Sequence, residues 1–197
     1  MPESGKSPGW LTTVLVIALT TVLVAGAVYL LQLGGGGADG AAGASSDLSP
    51  VEVSGGARGP APEVGQAAPD FTAVDTEGRE VSLADLRGQP VWLVFGATWC
   101  ANCRAEMPDV AAVASQVSGQ AEVVAVYVGE PSSTVADYAE RLGLDFPQLA
   151  DSTTEMSASY RVMGVPTHVF LDADGVVTSI DVGPLNQSQA LDRLSWP

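Results

Sequence analysis

Val91-Trp-Leu-Val-Phe-Gly96 is a run of six residues without a charged or amide side chain, and four positions beyond it the chain reads Cys100-Ala-Asn-Cys103. A short continuous apolar run is expected for a strand buried on both faces. After the cysteines, Met107, Val110, Val113, Ala114 and Val117 recur at helical spacing, so a helix is predicted from about Ala101 to Val117. Pro108 inside it removes one backbone donor and crowds the preceding turn, which predicts a bend. The chain has two cysteines in all, and both stand where strand gives way to helix. Thiolate is the nucleophilic form of cysteine, and a helix N-terminus favours it through unpaired N–H groups and the positive end of the helix dipole. Cys100 is therefore expected to be partly exposed and activated. Cys103, one turn on, is expected to be more buried and within disulfide reach of it.

A Cys-x-x-Cys pair has plainer readings. Half a metal site is one, but the rest of the chain offers one histidine and no further cysteine, too few for a four-ligand zinc site. A structural bridge is the other, but so small a loop removes little entropy from the unfolded chain. A redox-active pair is the reading the position favours, and no cofactor or metal is called for.

Around this junction the pattern is α/β. Phe71–Val74 and Glu80–Ser82 flank Asp75-Thr76-Glu77-Gly78 and predict a hairpin. Glu122–Val128 reads as a second buried strand, Thr134–Leu142 as a helix closed by Gly143, and Thr154–Tyr160 as a further helix. Strands are expected at His168–Leu171 and Val176–Asp181 about the turn Asp172-Ala173-Asp174-Gly175, with a last helix over Gln187–Leu194. Strand–helix–strand followed by a hairpin and a helix implies an α/β sandwich on a mixed sheet.

The N-terminal third is different in kind. Residues 1–9 precede 24 uncharged residues, Trp10 to Leu33, which as a helix would reach about 36 Å, enough to cross a hydrocarbon core of about 30 Å. A transmembrane signal anchor over 10–33 is expected. A cleaved signal peptide, with small residues at Ala25, Gly26 and Ala27, is the competing reading, but its apolar region would be shorter. Lys6 lies before the run and the first cation after it is Arg58. The positive-inside rule then keeps the N-terminus cytoplasmic and sends the remainder outside, across a bacterial-type plasma membrane in a single pass. In residues 34–62, Gly, Ala, Ser and Pro fill 22 of 29 positions. That composition cannot offset chain entropy, so a flexible linker with a reach of about 30 Å is expected. Residues 63–197 form the globular domain. With eight Lys and Arg against 23 Asp and Glu, the net charge of −15 argues against binding nucleic acid, whose phosphates need clustered cations.

Residues from about Gly65 to Leu194 resemble a thioredoxin-fold protein, and most closely the membrane-anchored TlpA/ResA group of thiol–disulfide oxidoreductases. The resemblance is carried by Ala68-Pro69-Asp70-Phe71, by Leu83-Ala84-Asp85-Leu86-Arg87-Gly88, by VWLVFGATWCANCRAEMP over Val91–Pro108, and by Val165-Pro166-Thr167. It implies a thioredoxin-like fold with an N-terminal β-hairpin extension and a central insert between Val128 and Pro166. It further implies that Cys100 attacks a partner's disulfide and that Cys103 resolves the mixed disulfide. By the same resemblance Pro166 is a cis-proline packed beside the cysteines, and the backbone of Val165 pairs with an extended substrate segment. Glu106, three residues after Cys103, matches a glutamate used near the thiol pair and could carry Cys103's proton; its plainer reading is a solvated helix glutamate. Trp99 is expected to shape the substrate surface or else to pack in the core. Many relatives carry proline where Asn102 stands, which leaves the reduction potential open. His168 reads as an ordinary strand residue.

The resemblance implies an extracytoplasmic reductant, resupplied by a membrane thiol donor, that reduces disulfide-bearing clients such as apocytochrome c before haem attachment. Alternatives are an oxidant that introduces disulfides, a peroxiredoxin-like peroxide reductase, for which the Ala-Pro-Asp-Phe opening also speaks, and a binding module that holds thiol clients without turnover.

Overall fold

The computed structural model describes residues 9–33, 52–53 and 61–194. The chain divides into two compact units, 1–46 and 47–197, and each is described by itself.

In the first unit, helix α1 spans Trp10–Leu33, the bounds the uncharged run predicts. Leu15, Ile17, Leu19, Val22 and Leu23 stand exposed on it. The side chains at 11–13 and 26–33 lie outside the described residues. The side chains described on α1 are those of Trp10 and residues 14–25, and taken over its described residues no helix is long and apolar enough to cross a membrane. Lys6 and most of the 34–62 segment also lie outside the described residues, and with them the readings of a cytoplasmic N-terminus and a flexible linker.

The second unit begins earlier than the composition suggests. Glu52–Val53 form a short strand, β1, inside the segment read as linker, and pair antiparallel with Phe71 and Thr72 of β2 (Phe71–Val74). Strand β2 pairs in turn with β3 (Glu80–Ser82). The turn between them is held by Asp75, whose carboxylate accepts from the backbone N–H of Glu77 and of Arg79, each at 2.9 Å, and from Arg79 Nε at 2.8 Å. Gly78 supplies the left-handed residue, φ 82°, that closes it.

The main sheet has five strands in the order β6-β5-β4-β7-β8: Gln148–Asp151, Glu122–Val128, Val91–Gly96, Thr167–Leu171 and Val177–Val182. The first three run parallel, and β7 and β8 are antiparallel to their neighbours. Alternation along the strands builds two cores. Leu93, Phe95, Val124, Val126, Val169 and Leu171 face Phe71, Ala73 and Leu83 of the hairpin layer, together with Met156 and Tyr160. The Tyr160 hydroxyl donates to the Pro69 carbonyl at 2.7 Å and fastens the entry segment to this layer. On the other face, Trp92, Val94, Ala125, Tyr127 and Phe170 pack under helices α2 (Ala101–Val117), α3 (Ser132–Leu142) and α5 (Gln187–Leu194). This is the thioredoxin-like mixed sheet with flanking helices that the sequence implied.

Some boundaries differ. Helix α2 runs through Pro108 without ending. Helix α3 starts at Ser132, behind Pro131, and ends on Gly143 in the left-handed conformation. Helix α4 covers only Glu155–Ser159. Strand β6 was not expected at all, because its hydropathy is broken by Gln148 and Asp151. Both are buried for hydrogen bonding. Gln148 accepts from the Tyr127 hydroxyl at 2.7 Å, and Asp151 accepts from the backbone N–H of Met156 and Ser157 at the start of α4. With α3 and α4, β6 occupies the chain between β5 and β7.

Candidate active site

Cys100 is the N-cap of α2, with φ −74° and ψ 119°, and its Sγ accepts from the backbone N–H of Cys103 at 3.2 Å. The two cysteines are joined as a disulfide, with Cα atoms 5.3 Å apart. The strand-to-helix handover produces this arrangement directly: β4 ends at Gly96 in the sheet centre, and the chain turns over Ala97-Thr98-Trp99 into the helix. Cys103 is 2% exposed, as its place one turn inside predicts. Cys100 is 8% exposed, more covered than expected, because Ala97 and Val165 pack against the pair.

Val165 and Pro166 come to the disulfide from the start of β7. The Val165–Pro166 peptide is cis, and the Val165 carbonyl oxygen lies 3.8 Å from Cys100 Sγ. Trp99 is 68% exposed beside the cysteines, which sets aside its reading as a core residue. The loop that carries it is held from two sides. Arg104 Nη1 donates to the carbonyls of Thr98 and Trp99, each at 3.2 Å. From the other side, the Glu130 carboxylate accepts the Thr98 backbone N–H at 2.7 Å and the Thr98 hydroxyl.

Glu106 is not a solvated glutamate. It is 4% exposed, one helical turn beyond Cys103 on the buried side of α2. Its Oε2 accepts from the backbone N–H of Leu185 at 3.2 Å and lies 3.5 Å from His168 Nε2. Nearby Tyr138 is pushed above the usual tyrosine range, first by burial, with the charges of Glu130 and Glu106 adding to it against Arg104 and Arg141.

Two residues with no role in the sequence reading belong to these surroundings. Glu130 follows β5, and parallel neighbours such as β4 and β5 bring their C-terminal ends together, so its place beside Thr98 had a signal in the strand order. His168 is fully buried, and its parity with Phe170 puts it on the α2 side of the sheet. That parity is visible in the sequence, but which face α2 covers is not.

A cysteine pair capping the helix that follows a central strand, with a cis-proline loop against it, defines a thioredoxin-like redox protein. Residues 64–180 match the AhpC/TSA family. The chain is 39% identical over 132 residues to the thiol-disulfide oxidoreductase ResA of Geobacillus thermodenitrificans, covering 66% of this chain and 76% of that protein. Among solved structures, a thioredoxin-family thiol:disulfide interchange protein of Chlorobium tepidum superposes with a TM-score of 0.62 at 27% identity, over 68% of this chain and 97% of that one. StoA of Bacillus subtilis superposes with a TM-score of 0.57 at 25% identity, over 63% and 95%. The chain belongs to the AhpC/TSA family, as a ResA-like thiol–disulfide oxidoreductase of the thioredoxin superfamily.

Proposed function

We propose that the protein is a membrane-tethered, extracytoplasmic reductant of protein disulfides, with apocytochrome c among its clients. The observation that carries the redox reading is the Cys100–Cys103 pair at the head of α2, with the Val165 carbonyl 3.8 Å from Cys100 Sγ. In the reduced protein the Cys100 thiolate, stabilised by the helix N-terminus, attacks one sulfur of a client disulfide and releases the other as thiolate. Cys103 then attacks Cys100 Sγ and displaces the client, which leaves with both sulfurs reduced; the two electrons pass to the client and the protein is left as the Cys100–Cys103 disulfide. Val165 offers backbone for an extended client segment, and exposed Trp99 offers an apolar contact. Glu106, buried one turn from Cys103, takes that thiol's proton as it attacks. A membrane thiol donor restores the dithiol.

The tether reading rests on the 24 uncharged residues of α1 and the exposed apolar side chains along it. The client reading rests on the resemblance to the ResA group and on the chemistry of the haem-attachment Cys-x-x-Cys-His, which must be a dithiol before it reacts. The deciding experiment is the equilibrium reduction potential of the Cys100–Cys103 pair by glutathione or dithiothreitol titration. A value near about −270 mV supports a reductant, and one near about −120 mV replaces it with disulfide introduction.

A further inference from the structure

The chain's single histidine sits in the core between the sheet and α2, and its hydrogen bonds fix its chemistry. The Trp92 indole N–H is 3.3 Å from His168 Nδ1. Indole nitrogen only donates, so Nδ1 must be the acceptor, and the ring proton belongs on Nε2. Nε2 faces two acceptors, the Gly183 carbonyl at 3.1 Å and Glu106 Oε2 at 3.5 Å. Gly183 is itself tied to the proline loop, its N–H donating to the Pro166 carbonyl at 2.9 Å. Two residues on, the Leu185 N–H donates to the same Glu106 Oε2 at 3.2 Å. His168 thus anchors, through Gly183, the segment whose Leu185 N–H addresses Oε2, and its own Nε2 stands 3.5 Å from that oxygen. Among the described residues, the other carboxyl oxygen, Oε1, is buried with no hydrogen-bond partner. Protonating Nδ1 would set two N–H groups against each other in a water-free core, at a high energetic cost.

We propose that His168, locked by Trp92 as the Nε2–H tautomer, is a positioning residue that anchors the segment whose Leu185 N–H holds Glu106 Oε2 and so leaves Oε1 as the oxygen that exchanges a proton with Cys103. This rests on the reading of Glu106 as Cys103's proton acceptor. The other ionisable groups around the cluster are Asp181, Tyr138, Glu130, Arg104, Arg141 and Arg193. Asp181, paired with His168 across β7 and β8, is held below the ordinary carboxylate range, chiefly by its hydrogen bond from Arg193. Tyr138 on α3 is raised above its ordinary value, first by burial, with Arg104 and Arg141 acting against the rise. Glu130 faces Thr98 on the far side of the cysteine loop.

Two measurements test this on the full, untagged chain in mild detergent. One histidine means one imidazole in a nitrogen-15 spectrum. The expected result is a single Nε2–H tautomer; an Nδ1–H tautomer, or a mixture of the two, overturns the proposal. The second measurement mixes reduced protein with glutathione disulfide and follows release of the second glutathione, the step in which Cys103 displaces it from Cys100. Glu106→Gln should slow this step about a hundredfold at pH 7 and remove its acid limb. His168→Leu should slow it about tenfold and alter its pH profile, because the Gly183–Leu185 segment that presents a donor to Oε2 has lost its anchor. His168→Gln, which keeps an N–H donor, should recover to within about threefold of the parent. A normal profile for His168→Leu beside an altered Glu106→Gln overturns the role of His168, while a normal Glu106→Gln overturns the reading beneath it. Should His168→Leu not fold, Trp92→Phe removes only the lock. The Nδ1–H tautomer should then appear, and a histidine that stays wholly Nε2–H refutes the lock.

Discussion

Glu130 gives the sharpest test of how the cysteine loop is held. Its carboxylate takes two donors from one residue, the Thr98 backbone N–H at 2.7 Å and the Thr98 hydroxyl, at a site where Glu130 itself is buried. A hydrogen bond to a charged acceptor contributes roughly 1.5–3 kcal/mol, and a donor left buried without a partner costs about 1–3 kcal/mol. Thr98 is half-buried, so water recovers part of the loss. Glu130→Ala should therefore destabilise the 47–197 unit by about 3 kcal/mol. Glu130→Gln, whose amide oxygen can keep one of the two donors, should lose about half as much. With a urea slope of about 2 kcal/mol per molar, the midpoint should fall by about 1.5 M for Ala, with an unchanged slope. Because Thr98 adjoins Trp99 and Cys100, client reduction should also slow several-fold. A midpoint shift below about 0.3 M for Glu130→Ala would refute the reasoning, since the two bonds would then carry no net stability.

Further outcomes are equally specific. Cys103→Ser should lose turnover and accumulate mixed disulfides on Cys100, seen as bands that collapse on reduction in non-reducing gels; a non-covalent binding module would show neither. Trp99→Ala should raise the KM for a protein disulfide several-fold while leaving the thermal midpoint nearly unchanged, because the side chain is largely exposed. The Asp181 carboxyl is held low, first by its hydrogen bond from Arg193 Nε at 3.1 Å, so the pair's contribution is complete above the ordinary aspartate pKa of about 3.9 and is lost as pH falls through the lowered folded value. Arg193→Leu should accordingly lower stability at pH 7 by the pair's whole contribution and change it least near about pH 2, which flattens the acid limb of the stability curve, measured by denaturant titration from about pH 2 to 7.

Much of this fold is written in local pattern. The apolar run at Val91–Gly96, the helical spacing from Met107 to Val117 and the Asp75–Gly78 turn each fix an element by short-range physics, and each stands where expected. The cysteine pair is legible for the same reason: four consecutive residues at a strand–helix junction bring their own geometry with them. Where a polar residue is buried for a distant partner, local pattern misleads. Gln148 and Asp151 made β6 look like loop, because the sequence does not show the Tyr127 hydroxyl or the α4 backbone that satisfies them. Strand β1 was hidden differently: a two-residue strand leaves no periodicity to read, and it exists by pairing with β2.

The sequence by itself determined the redox chemistry, since two cysteines at a helix head can act in few ways, together with most of the strands and helices around them, β1 and β6 excepted. Only the tertiary structure decided which groups serve those cysteines. Glu106 becomes buried when α5 and the Gly183–Leu185 segment close over α2, and His168 meets it from a strand 62 positions later in the chain. Thr98 finds Glu130 across 32 positions. Such contacts depend on which helix covers which face of the sheet and on the exclusion of water between them, and neither is a property of any local stretch of chain.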